Sequence, residues 1–274
     1  MIVINETITQ LGEAAKLQVR LWENSEEFQI GIKRPMIVVV PGGGYSYTSD
    51  READPVANAF AGMGFHTAIL RYSVKPVCWP TQIQQLAASV AYIRRHADEW
   101  YVDPDKIVVM GFSAGGHLAA SLAVHWHEEW LSEAVGATNE EIRPNFMVLA
   151  YAVLIAHDPT HLGTWKNLLG EDWESHWEDM SLDAFVSEQT PPCFLWCNGQ
   201  DTTVPLESSM TFAAALRRSG VPFELHCYER GKHGASLCNE LVRKKPETKF
   251  YQSVAMWTEQ CRLWLKQQFD PDFV

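Results

Sequence analysis

The sequence has no C-x-x-C pair, no internal repeat, no low-complexity stretch and no long apolar run. Its longest apolar run, Phe146 to Ala156, has eleven residues, too few to span a bilayer as a helix. Met1 to Gln10 lacks the basic start and the long apolar centre of a secretory signal. Positive charge is scarce: 22 Lys and Arg stand against 34 Asp and Glu, a formal net charge of −12. Such a chain repels phosphate backbones and anionic lipid, so neither nucleic acid nor a membrane is an expected partner. The six cysteines, Cys78, Cys193, Cys197, Cys227, Cys238 and Cys261, read as reduced and mostly buried thiols. Together these absences predict a cytoplasmic protein.

What the chain does have is apolar mass. Of its 274 residues, 46% are hydrophobic and 11% aromatic, enough for a large core without disulfides or metal. Apolar runs alternate with helix-patterned segments, which predicts a mostly parallel sheet covered by helices, an α/β architecture. Met36–Val40, Thr67–Tyr72, Lys106–Met110, Phe146–Val153, Phe194–Asn198 and Phe223–Tyr228 read as strands. Helices are expected from about Thr81 to Glu99, Ala114 to Val124, Glu207 to Ser219 and Thr248 to Gln268. Gly220 stands where a helix C-terminus favours glycine. The N-terminal thirty residues read as one or two antiparallel edge strands, and His127–Asn145 as an acidic surface excursion. One domain over 1–274 is expected, with 154–192, rich in Trp and acids, as a small cap over the sheet.

Gly111-Phe112-Ser113-Ala114-Gly115-Gly116 carries the sharpest chemical signal. G-x-S-x-G alone is a short pattern; its setting makes it specific. A β-branched strand runs into it and a helix of small residues leaves it, as a nucleophile elbow requires. Pro41-Gly42-Gly43-Gly44-Tyr45 follows an earlier strand, at the sheet end where open parallel sheets bind ligands. Glycines there let backbone N–H groups turn toward a developing oxyanion. No G-K-[ST] or spaced G-x-G-x-x-G follows, which argues against a phosphate loop.

A serine nucleophile needs a base, and the base needs an orienting acid, in the chain order serine, acid, histidine. Asp201 follows the strand Phe194–Asn198, and His233 follows the next one. Each therefore falls at the C-terminal end of a strand. The competitors fit less well. His226 lies within a strand, and His117 points along its helix. His125 and His127 have metal-ligand spacing but no evident cysteine or carboxylate cluster. Asp172, Asp179 and Asp183 belong to the acidic insertion. A paired-carboxylate glycosidase stays open by counting alone, but leaves the elbow and the glycine loop unexplained. Trp22, Trp100, Trp257 and Trp264 read as core, whereas Trp79, Trp165, Trp173 and Trp177 are candidates to line a pocket.

On these residues the chain resembles the α/β-hydrolase superfamily, in particular its small acetyl-xylan and feruloyl esterases and the hormone-sensitive-lipase-like carboxylesterases. Residues 36–47, 103–120 and 181–237 carry the likeness, with Asp103-Pro104-Asp105-Lys106-Ile107, the elbow through Ala119, Thr190-Pro191-Pro192 and Gly231-Lys232-His233-Gly234. The resemblance implies an α/β-hydrolase fold with helices on both sheet faces. It implies Ser113 as nucleophile, His233 as base and Asp201 as orienter, with an oxyanion hole from the N–H groups of Gly43, Gly44 and Ala114. Relatives open the oxyanion loop with histidine; here Pro41 stands there, and Tyr45 is an alternative donor to Gly43. The expected activity is hydrolysis of small acyl esters, acetylated sugars among them, without cofactor or metal. The expected partner is a small-molecule ester, and a homo-oligomer stays open. Rival readings are an amide hydrolase, either a peptidase or an arylformamidase, and a non-catalytic ligand-binding member.

Overall fold

Strand β3 (Arg34–Val40) shows why the sheet is buried on both faces. Met36, Val38 and Val40 pack into one apolar layer, Ile37 and Val39 into the other, all with no exposed surface. A strand sealed from water twice has no polar face to show, so its sequence is a continuous run rather than an alternation. The computed structural model describes residues 1–27, 31–156, 161–270 and 272–273.

The other strands are β1 (Ile2–Gln10), β2 (Glu13–Leu21), β4 (His66–Arg71), β5 (Val102–Phe112), β6 (Phe146–Ala150), β7 (Cys193–Asn198) and β8 (Phe223–Tyr228). They form one sheet in the order β1-β2-β4-β3-β5-β6-β7-β8. Pairing is parallel from β4 across to β8, whereas β1–β2 and β2–β4 are antiparallel. The helices are α1 (Asp54–Gly62), α2 (Thr81–Arg95), α3 (Ala114–His125), α4 (Glu129–Val135), α5 (Asn139–Ile142), α6 (Leu162–Leu169), α7 (Trp173–His176), α8 (Leu206–Arg218), α9 (Gln252–Ala255) and α10 (Trp257–Phe269). Helices α2, α3 and α8 feed one apolar layer, and α1 and α10 the other. The fold is that of an α/β-hydrolase, with helices on both faces.

Several element ends differ from the sequence expectation, each for a local reason. The N-terminal segment makes two strands, joined at Leu11-Gly12, both with positive φ as a tight hairpin turn requires. Residues 28–30 of that segment lie outside the described residues, as do 157–160 of the expected cap. β5 starts at Val102 rather than Lys106, because Arg34 pairs with Val102 before a bulge resets the register to Met36–Ile107. β6 ends at Ala150, not Val153: Tyr151 takes φ 37° and turns the chain out of the sheet. Helix α2 stops at Arg95, and only looser turns lead on to β5. The expected C-terminal helix is shorter and broken. Tyr251 is extended (φ −112°, ψ 114°), and its N–H donates to the Cys238 sulfur at 3.4 Å, so a tertiary contact overrides the helical period. The expected excursion at 127–145 contains α4 and α5. Helix α5 is opened by a capping box between Thr138 and Glu141, a signal present in the sequence and overlooked.

Candidate active site

The elbow explains its own glycines. A Cβ on Gly111 would collide with the Gly115 carbonyl, and one on Gly115 with the Val40 carbonyl, so strand, turn and helix close only without side chains there. Between them Ser113 is held at φ 53°, ψ −122°, a strained conformation maintained by its surroundings. Its N–H is fixed by the Ala150 carbonyl at 3.0 Å. Its Oγ is thereby presented at the C-terminal end of β5, at the head of α3.

The structure brings Ser113, His233 and Asp201 into one line. The Ser113 hydroxyl donates to His233 Nε2 at 2.8 Å, and His233 Nδ1–H donates to Asp201 Oδ2 at 2.7 Å. A carboxylate only accepts, so the proton sits on Nδ1 and leaves Nε2 as the acceptor. The Asp201 side chain is fully buried; its Oδ1 accepts the N–H groups of Thr203 and Val204, each at 2.9 Å. These bonds fix the carboxylate, and the carboxylate fixes the ring.

The glycine loop lies against the serine: a Cβ on Gly42 would come within 2.9 Å of Ser113 Cβ. Gly43 takes φ 137°, where a side chain would run into the Tyr47 carbonyl. Among the described residues, the N–H groups of Gly43, Gly44 and Ala114 donate to no protein acceptor. Pro41 opens the loop, and its carbonyl accepts the Tyr72 hydroxyl at 2.8 Å. Tyr45 also has positive φ, and its hydroxyl is committed elsewhere, donating to His117 Nδ1 at 2.8 Å.

His117 is therefore more than a passenger on α3. It is fully buried, and burial lowers its pKa to about 4, so the ring is neutral. Nε2–H then donates to the Met180 carbonyl at 3.1 Å, which ties the glycine loop, the elbow helix and the 177–180 turn together. Asn167 of α6 adds a bond from its amide to the Gly44 carbonyl at 2.8 Å. The other competitors fall away from the site. His226 pairs with Glu224, and His125 pairs with Glu128 at 2.8 Å, a carboxylate the spacing argument overlooked. Trp165 is fully buried, edge-on to His117 at 5.1 Å. Trp79, Trp173 and Trp177 are half-buried against the same core. Sequence reasoning also passed over Glu52 and Tyr151, which lie behind the serine and histidine. Glu52 sits in a polar stretch that reads as surface, and Tyr151 in an apolar run that reads as strand.

The fold is that of the α/β-hydrolase superfamily, and its site joins a serine, a histidine and an aspartate by hydrogen bonds. A profile of the BD-FAE family matches residues 27–216, more than half of the chain. The chain belongs to the BD-FAE family. It is similar to endo-1,4-beta-xylanase B of Butyrivibrio fibrisolvens, 33% identical over 76% of this chain and 34% of that protein. It is also similar to the acetylxylan esterase of Xylanibacter ruminicola, 27% identical over 72% of this chain and 40% of that protein. It thus spans well under half the length of these two relatives. Among solved structures, an acetyl ester-xyloside bifunctional hydrolase from Caldicellulosiruptor lactoaceticus superposes with a TM-score of 0.81, at 32% identity, covering 93% of this chain and 89% of that one. Among the described residues no helix is long and apolar enough to cross a membrane.

Proposed function

We propose that the chain hydrolyses small acyl esters, acetylated sugars among them, through a covalent acyl-enzyme on Ser113. One observation carries this reading: the continuous hydrogen-bond line from Ser113 through His233 to Asp201. Ser113 Oγ attacks the ester carbonyl while His233 Nε2 takes its proton. The imidazolium is stabilised by Asp201 and returns the proton to the departing alcohol. Water repeats the sequence on the acyl-enzyme and frees the acid. Gly43, Gly44 and Ala114 have N–H groups free to receive the oxyanion, and Ala114 adds the positive end of α3.

The relatives support a sugar-ester substrate, since two carry acetylxylan or acetyl ester-xyloside in their names. The anchoring of α6 on the glycine loop supports a small acyl site with a short cap over it. Six free cysteines support a reducing, cytoplasmic setting. The test has two parts. A fluorophosphonate probe should label Ser113, and Ser113→Ala should lose both label and esterase activity. Across p-nitrophenyl acetate, butyrate, octanoate and palmitate, kcat/KM should be highest for the two short esters. Labelling at another serine refutes the mechanism, and a maximum at octanoate or beyond refutes the small acyl site.

A further inference from the structure

Glu52 is buried, 3% exposed, in the short turn Asp50–Glu52. Among the described residues it forms no ion pair within 4.0 Å. A carboxylate so placed is costly to bury unless its oxygens are satisfied. Both are. One accepts the Gly42 N–H at 2.9 Å, and the other accepts the Tyr151 hydroxyl at 2.7 Å. That hydroxyl in turn accepts the Ser236 N–H at 3.0 Å, and the Tyr151 ring meets the His233 ring edge-on at 5.1 Å. The same turn holds the histidine loop from a second side, since Arg51 donates to the Gly234 carbonyl at 2.8 Å and the Ser236 hydroxyl donates to the Arg51 carbonyl at 2.6 Å.

We propose that Glu52 is a positioning residue for ester hydrolysis, a bridge that sets the glycine loop relative to His233. The inference rests on the reading of Ser113 as nucleophile and His233 as base. Through the Gly42 peptide Glu52 fixes the neighbouring N–H donors of Gly43 and Gly44. Through Tyr151 it fixes the surface against which the imidazole rests. Two donors converge on one group, so both of its atoms must accept. A carboxylate does this; a carboxamide of the same shape accepts through one atom and turns an N–H on the other donor. Donors aimed at an oxyanion act on charge that develops only in the transition state. Their displacement therefore lowers kcat and leaves substrate binding nearly unchanged.

The test compares wild type, Glu52→Gln, Tyr151→Phe and the double variant on p-nitrophenyl acetate. Folding is checked by circular dichroism and thermal melting, and fluorophosphonate labelling of Ser113 is followed in wild type. Each single variant should lower kcat by about 10- to 100-fold, the effect of one misplaced buried hydrogen bond, with KM within about twofold. The double variant should lose little more than the worse single variant, because both break one bridge. Folded Glu52→Gln with wild-type kcat, or a loss confined to KM, overturns the inference. Should Glu52→Gln fail to fold, Tyr151→Phe decides on the same criteria. A wild-type protein unlabelled at Ser113 fails the nucleophile reading itself, an outcome distinct from an active, labelled enzyme indifferent to Glu52.

Discussion

Asp201 stands between two kinds of donor, backbone N–H groups on one oxygen and the histidine ring on the other. Asp201→Asn keeps the shape and can keep the backbone bonds, but it offers an N–H or a neutral oxygen to the ring. The imidazole is then free to hold its proton on Nε2, where it blocks the serine. In the proposed mechanism kcat should fall by about 10⁴-fold while the melting temperature changes little. Near-wild-type turnover in a folded Asp201→Asn protein would show that the acid lies elsewhere. All three members of this line were legible in the sequence, because a nucleophile elbow and two loops after strands are local patterns. The support behind them was not. Glu52, Tyr151 and His117 act through partners 10, 99 and 72 residues away, and no period in the chain encodes those distances.

Among the elements, the β-strands were the easiest to read and their ends the hardest. Val38 to Val40 or Val108 to Met110 can be little else than buried strand, since β-branched runs sealed on two faces have few alternatives. The exit of β6 at Tyr151 and the break before α10 depend on contacts from distant segments, which hydrophobic patterning does not contain. Helix α10 illustrates how the layers are locked. Trp257 is fully buried, stacks on Trp196 at 5.2 Å, and donates its indole N–H to the Ser236 carbonyl at 2.9 Å. Trp257→Ala removes a large side chain between α10 and the sheet and orphans that carbonyl. It should cost about 3–5 kcal/mol of unfolding free energy. A denaturant titration that finds less than about 1 kcal/mol would mean that the layer relaxes into the space.

At the scale of the whole molecule, burial among the described residues keeps His66 and His117 neutral, each with its pKa lowered to about 4. His66 Nδ1 accepts the Trp22 N–H at 3.1 Å, so a proton there would face a donor. The unfolded chain binds these protons near pH 6.5 and the folded chain only near 4, so the unfolded state holds more protons in between. Stability should therefore be full above pH 6.5 and fall as pH drops toward 4, by up to about 3 kcal/mol for each histidine. Surface carboxylates act lower: Glu141, held at about 2 chiefly by Arg95, loses its contribution only below 4.5. Thermal melts from pH 7 to 4 check the order, and a constant Tm down to pH 4.5 would contradict it. The spacing of the reacting pair has a consequence in time. Ser113 and His233 are 120 residues apart, and ribosomes add about 5–20 residues per second. Ser113 is therefore added to the chain roughly 6 to 24 s before His233. The β1–β2 hairpin pairs within residues 2–21 and needs no distant segment to do so, whereas Ser113 must wait for His233, which follows the last strand of the sheet. In the proposed mechanism a nascent chain thus cannot use Ser113 until His233 has been added and folded against it.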